Sequence, residues 1–179
     1  MAQRKDSKPA EHADKFLKMS DEERIKVLLE EFAQKKDDDW SSHLLPSLTL
    51  HSITPASPPT RPYPLVTFKF TVHPTHCNRL RNLHGGCAAT LFDFCTSIPL
   101  ALVARPGFWS YLGVSRTLNV TYLRPAPEGS TVLVECEIVG VGKRLCTVRG
   151  TMRRVEDGTV LMVCEHGKVN TDPDVASKL

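Results

Sequence analysis

The sequence predicts an α+β domain in which an antiparallel sheet wraps around one long central helix. Three observations carry this. The stretch from Leu83 to about Ala104 is apolar almost throughout. It is long enough for a helix rather than a strand, and a helix that is apolar on every side is a buried one. Four strand-like runs follow it, roughly 111–124, 131–140, 144–155 and 159–169, and one precedes it at 65–73. Turn residues separate the later runs at Pro125–Gly129, Gly140–Gly142 and Asp157-Gly158, the last a strong hairpin signal. One curved sheet covers most of such a helix and leaves the rest for a second copy of the chain.

The elements follow in order. Residues 1–19 read as a polar lead. Ser20-Asp21-Glu22-Glu23 fits a capping box, and Ile25, Leu28, Leu29 and Phe32 follow at helical spacing. This predicts a short amphipathic helix ending near Asp37–Asp39. Residues 41–64, rich in Ser, Thr and Pro, read as a linker with one short strand around Leu48–Ile53. In 65–73, Val66, Phe68, Phe70 and Val72 fall on one face of a strand. Pro99 lies inside the apolar helix, removes a backbone hydrogen bond, and is expected to kink or end it near Cys95–Ile98. The expected organisation is an N-terminal extension at 1–60, flexible but for its helix, a folded domain at 61–171, and a tail at 172–179.

Composition sets the outer limits. A chain of 179 residues holds one domain with a real core. A net charge of +3 is too small to imply nucleic acid. Residues 1–40 carry nine Lys/Arg against eleven Asp/Glu, and the remainder fourteen against nine, so the main body is mildly basic and suits an anionic ligand. No apolar run reaches the length of a membrane span, and the start lacks the apolar core of a secretory signal. Its acids argue against a mitochondrial presequence. Six cysteines without a C-x-x-C pair predict reduced, mostly buried thiols. His73, His76 and Cys77 cluster loosely, but no second ligand pair accompanies them, so no metal site is expected.

The chemistry centres on the apolar helix. Between Arg81 and Arg105 there is one acid, Asp93, flanked by Phe92 and Phe94. A lone carboxylate in such surroundings is either satisfied by a nearby hydroxyl or Arg, or is a tuned base. His84-Gly85-Gly86 opens the helix, where the first N–H groups lack internal partners and point toward an anion. Glycine lets a substrate approach that backbone, so this end can hold a developing oxyanion. A plain turn also fits the triplet. His84 and Asp93 are nine residues apart, half a turn out of phase and about 13 Å apart along a helix. One helix does not bring both to one reacting centre. If both act, the site lies across a dimer interface.

Several blocks occur together: Asn78-Arg79-Leu80-x-x-Leu83-His84-Gly85-Gly86, Ala89-Thr90-Leu91-x-Asp93, Gly113-Val114-Ser115, and Leu118-Asn119-Val120-Thr121-Tyr122-Leu123-x-Pro125-Ala126. In this order they resemble the hotdog-fold acyl-CoA thioesterases, above all the phenylacetate-pathway type and its thioesterase-superfamily relatives. The likeness spans about 65–170 and includes the Gly142-Lys143 turn. It implies a hotdog fold, assembled as a homodimer or homotetramer, that hydrolyses an acyl-CoA substrate to free acid and coenzyme A without a cofactor. It also implies roles. The Gly85 N–H polarises the thioester carbonyl, Asp93 of the partner subunit activates water with Ser115 beside it, and Asn78 and His84 place the thioester. Asn78 closing a turn and Ser115 as an ordinary strand hydroxyl are the plain alternatives. Lys143 and Arg144, at a strand turn in the basic half, are candidates for binding the coenzyme A phosphates, and a solvated turn accounts for them equally.

Two rival functions stay open at this point, a hotdog enoyl-CoA hydratase and a non-catalytic acyl-CoA binder. Ser177-Lys178-Leu179 matches the signal read by the peroxisomal import receptor, so the expected location is the peroxisome, where acyl-CoA is processed in lipid metabolism.

Overall fold

The computed structural model describes residues 16–34 and 44–173. The tail signal Ser177-Lys178-Leu179, the lead at 1–15 and the acidic run at Asp37–Asp39 lie outside them.

Helix α1 (Asp21–Gln34) begins at its capping box. Glu23 Oε2 accepts from Ser20 N and Ser20 Oγ, both at 2.8 Å, and Ser20 Oγ accepts from Glu23 N at 3.3 Å. Asp21, Glu22 and Glu23 also place negative charge on the first turn, where the helix dipole favours it. Ile25 is fully buried, and Leu28, Leu29 and Phe32 pack against the same core.

Six strands form one antiparallel sheet: β1 (Leu48–Thr54), β2 (Leu65–Thr71), β3 (Val114–Tyr122), β4 (Thr131–Val141), β5 (Leu145–Arg154) and β6 (Val160–Val169). Their spatial order is β1-β2-β4-β5-β6-β3. Register follows the pleat: along β4, Val132, Val134, Cys136 and Ile138 face inward while Leu133, Glu135 and Glu137 alternate outward. The sheet begins ahead of the boundary expected at 61. Strand β1 pairs with β2 from Leu48↔Phe70 to Thr54↔Leu65, so the segment read as a linker supplies the edge of the sheet. The N-terminal helix is likewise packed on the domain.

Helix α2 (Gly85–Ser97) lies in the hollow of the sheet, with Ala88, Leu91, Phe92 and Cys95 buried. Gly150 of β5 makes room for it. A Cβ there would sit 2.6 Å from Phe92 Cδ1, so only glycine admits the ring. The helix gives way at Ser97 to a 3₁₀ turn at Ile98–Leu102, which Pro99 opens, as its missing N–H demands. Together Gly85–Leu102 form one helical stretch long and apolar enough to cross a membrane by length and composition. That corrects the expectation that no run reaches this length. Half of the stretch is buried inside the fold, where the sheet takes the place of lipid.

All six cysteines are free thiols, four of them buried. His73, His76 and Cys77 belong to a 3₁₀ turn after β2, in which His76 Nδ1 accepts from His73 N at 3.1 Å and Cys77 Sγ donates to His73 O at 3.4 Å.

Candidate active site

Two groups of polar residues sit at opposite ends of α2. At its N-terminus the loop after β2 folds back on itself. Cys77 bridges to Leu83, and His84 N donates to His76 O at 2.9 Å. Asn78 closes this loop, its Oδ1 accepting from Leu80 N at 2.9 Å and Asn82 N at 3.3 Å. His84 caps the helix through Nδ1, which accepts from Gly86 N at 3.0 Å. A neutral His84 therefore carries its proton on Nε2, on an exposed ring. The Gly85 N–H has no hydrogen-bond partner among the described residues. The Gly85 carbonyl accepts from Tyr122 Oη at 2.8 Å. A methyl group on Gly85 would meet the Tyr122 ring at 3.5 Å, an ordinary contact, so packing within the chain does not by itself require glycine there.

Asp93 lies two turns along the helix, about 12 Å from Gly85. It is not buried within the chain, contrary to the reading from its apolar neighbours: its side chain is 42% exposed. Phe94 beside it turns to α1 instead and meets Phe32 edge-on at 5.7 Å. Asp93 Oδ1 accepts from Ser115 Oγ of β3 at 2.5 Å. Thus the structure joins Asp93 to Ser115, gathers Asn78, His84 and Gly85, and keeps the two groups apart within one chain.

Behind Ser115 lies a set of residues that sequence reasoning missed. His166 Nε2 is 2.9 Å from Ser115 Oγ and 3.4 Å from Asp93 Oδ1. On its other side, His166 Nδ1 is 2.6 Å from Thr96 Oγ1, which lies 2.5 Å from Phe92 O. Lys168 Nζ donates to Ser97 Oγ at 2.6 Å, and Ser97 Oγ donates to Asp93 O at 2.6 Å. Burial, reinforced by Lys168, pushes the His166 imidazole down to about 4, while Asp93 pulls it up. Burial also lowers Lys168, against the pull of Asp93. The signal was the strand alternation. Cys164, His166 and Lys168 fall on the inward phase of β6, so an imidazole and an ammonium occupy core positions.

The chain from Phe92 O through Thr96, His166 and Ser115 to Asp93 contains four hydrogen bonds. The two hydroxyls supply one proton each and a neutral imidazole a third. With Asp93 charged, one bond is left without a proton. A proton arriving on Asp93 fills the set: Asp93 donates to Ser115, Ser115 to Nε2, Nδ1 to Thr96, and Thr96 to Phe92 O. The arrangement is a carboxylate on an open face backed by a chain one proton short.

Lys143 and Arg144 are exposed on the β4–β5 turn. Their carbonyls accept from Asn170 Nδ2 at 3.0 Å and Asn170 N at 2.8 Å. The register of Leu145, Val169 and Val114 puts this turn at the same end of the sheet as Ser115 and Lys168.

The thioesterase superfamily model matches residues 80–161, a span that holds His84, Gly85, Asp93 and Ser115 and leaves out Asn78 and His166. Acyl-coenzyme A thioesterase 13 of Mus musculus is 31% identical over 97 residues, covering 54% of this chain and 66% of that protein. In fold, the chain is similar to zebra fish thioesterase superfamily member 2, with a TM-score of 0.68 at 22% identity, over 83% of this chain and 96% of the other. It is also similar to the PaaI protein of the E. coli phenylacetic acid degradation operon, with a TM-score of 0.61 at 12% identity, over 83% and 95%. The helix held in a six-stranded antiparallel sheet is the hotdog fold, and residues 80–161 within it match the thioesterase superfamily.

Proposed function

We propose that this chain hydrolyses acyl-CoA thioesters to a free carboxylic acid and coenzyme A, at a site shared by two copies. Water held by Asp93 and Ser115 attacks the thioester carbonyl carbon, and Asp93 takes its proton. The carbonyl oxygen gains charge against the Gly85 N–H at the start of the partner's helix. When the oxyanion collapses, the C–S bond breaks and the coenzyme A thiolate leaves, taking up the proton. Asn78 and His84 steady the thioester beside Gly85, His84 through its Nε2–H. Lys143 and Arg144 meet the phosphates of coenzyme A.

The single observation that carries this reading is the exposed Asp93 carboxylate fixed by Ser115, with a chain behind it that lacks one proton. The acyl-coenzyme A named in the mouse relative supports the substrate class. Support for the shared site comes from the separation of Asp93 from Gly85 and from the open edge of β3, where Val114 and Tyr122 are 53% and 50% exposed and a second strand can pair. Pairing of such dimers into a homotetramer belongs to the same proposal.

The test is release of free thiol from a panel of fatty and aryl acyl-CoA esters by the purified chain. Water addition to an enoyl-CoA without thiol release would favour the hydratase, and binding without either product the non-catalytic binder. Peroxisomal import is proposed from Ser177-Lys178-Leu179. Deleting Leu179 should move an N-terminally tagged fusion from peroxisomal puncta to the cytosol, and puncta that persist on a peroxisomal marker would refute it.

A further inference from the structure

Lys168 is 4% exposed, deep for a lysine. It lies two residues beyond His166 on the same inward face of β6, opposite Ser115 of β3 and Cys146 of β5. The one hydrogen bond of its ammonium among the described residues is to Ser97 Oγ. A buried ammonium with a single neutral partner is costly, and nothing in the packing of the sheet calls for it. A methionine would fill the same volume.

We propose that Lys168 is a positioning residue of the hydrolytic reaction, whose ammonium keeps His166 neutral and so keeps the hydrogen-bond chain behind Asp93 one proton short. Without that charge, burial alone would hold the imidazole neutral, and a proton that satisfies the fourth bond and pairs with Asp93 would be taken up at higher pH. The carboxylate would then face water with its proton vacancy already filled. Lys168 also reaches Asp93 through Ser97, whose hydroxyl it fixes onto the Asp93 carbonyl. Besides Lys168, the titratable groups facing His166 are Asp93 from α2, Cys146 from β5 and Cys164 from β6. Burial pushes the Cys146 thiol up to about 11 and the Cys164 thiol up to about 12, so both stay neutral. Burial holds the imidazole down first, and the balance of charge around it is between one carboxylate and one ammonium.

The inference rests on the hydrolytic reading for its effect on rate, but its first measurement needs no turnover. Imidazole nitrogen NMR of the full chain, with the His166 signal assigned by its loss in His166→Gln, should show a neutral ring in the wild type at pH ~6, below the ordinary midpoint of ~6.5. A protonated ring there overturns the proposal without any variant. Lys168→Met removes the charge, and Lys168→Gln removes it while keeping a donor for Ser97. Both should raise the His166 midpoint by about one pH unit or more and carry the acid limb of kcat/KM upward with it. Lys168→Arg keeps the charge and should leave both in place, even if its bulk lowers the rate. A midpoint unmoved in Met and Gln, or moved as far in Arg, refutes the role of charge. A merely structural lysine would lower the rate at every pH and shift no limb. If Asp93→Asn proved active, the hydrolytic reading would fall while the NMR result still stood.

Discussion

The Ser115 hydroxyl donates to Asp93 Oδ1 across 2.5 Å, from an edge strand to the helix that the sheet wraps. That bond fixes one carboxylate oxygen and leaves the side chain open toward the uncovered face of α2. It also couples the carboxylate to His166, which never reaches the surface. The exposed acid and the buried base are therefore joined through one hydroxyl.

Replacing Asp93 with Asn keeps the shape and removes the proton acceptor. The expected result is a fall in kcat of about 100-fold or more with KM largely kept. Ser115→Ala removes one hydrogen bond to a charged group, worth about 1.5–3 kcal/mol, or roughly ten- to a hundredfold. Steady-state rates on one acyl-CoA check both. A folded Asp93→Asn chain with near-normal kcat would rule out the assignment.

Stability should depend on His166 in a defined window. In the unfolded chain the imidazole titrates near its ordinary ~6.5, and in the fold it is held at about 4. Between these values the unfolded chain binds a proton that the folded chain does not. The contribution is complete above about 6.5 and is lost as pH falls toward about 4, by at most ~1.4 kcal/mol per unit. His166→Gln does not titrate, so its urea midpoints should fall less over that stretch than those of the wild type. Parallel curves would show that the imidazole is not held neutral.

Gly150→Ala tests how tightly the helix sits on the sheet. The new Cβ would lie 2.6 Å from Cδ1 and 2.9 Å from Cε1 of Phe92, a rigid ring with no free end to swing aside. Overpacking of this kind costs about 1–3 kcal/mol, read as a lowered denaturant midpoint. Pairing with Phe92→Leu should recover part of the loss, because the clash and the cavity offset each other.

What the sequence disclosed was mostly local. The capping box at Ser20, the helix start at His84 and its end before Pro99 are each set by neighbours within a few residues, and the structure shows all three. The strands were legible because apolar residues alternate along them. Asp93 was misjudged as buried, since its flanking phenylalanines describe the helix and not which side of it the sheet leaves open. His166 and Lys168 were missed because their meaning depends on Asp93 and Ser97, 73 and 71 residues away in the chain. Strand β1 was expected around Leu48–Ile53 but assigned to a linker outside the folded domain, because its turn-rich flanks outweigh seven residues whose partner strand lies ten residues on.

The separation of Gly85 from Asp93 gives the sharpest test of the shared site. If Asn78 serves the thioester beside Gly85 of one chain and Asp93 activates water from the other, each site draws one residue from each copy. A homodimer of Asp93→Asn then has two dead sites, and one of Asn78→Ala two weakened sites. In a mixed dimer one site collects both lesions and the other collects neither. Activity should return toward half of the normal value per mixed dimer, a gain that depends only on which chain supplies which residue. If Asn78 and Asp93 met within one chain, each site would keep one lesion and nothing would return. The measurement is the thioesterase rate of mixed dimers purified through two different tags, after both variants are shown to fold and pair. A rate no higher than that of the two parent variants would reject the shared site, and with it the account of how one helix serves both ends of the reaction.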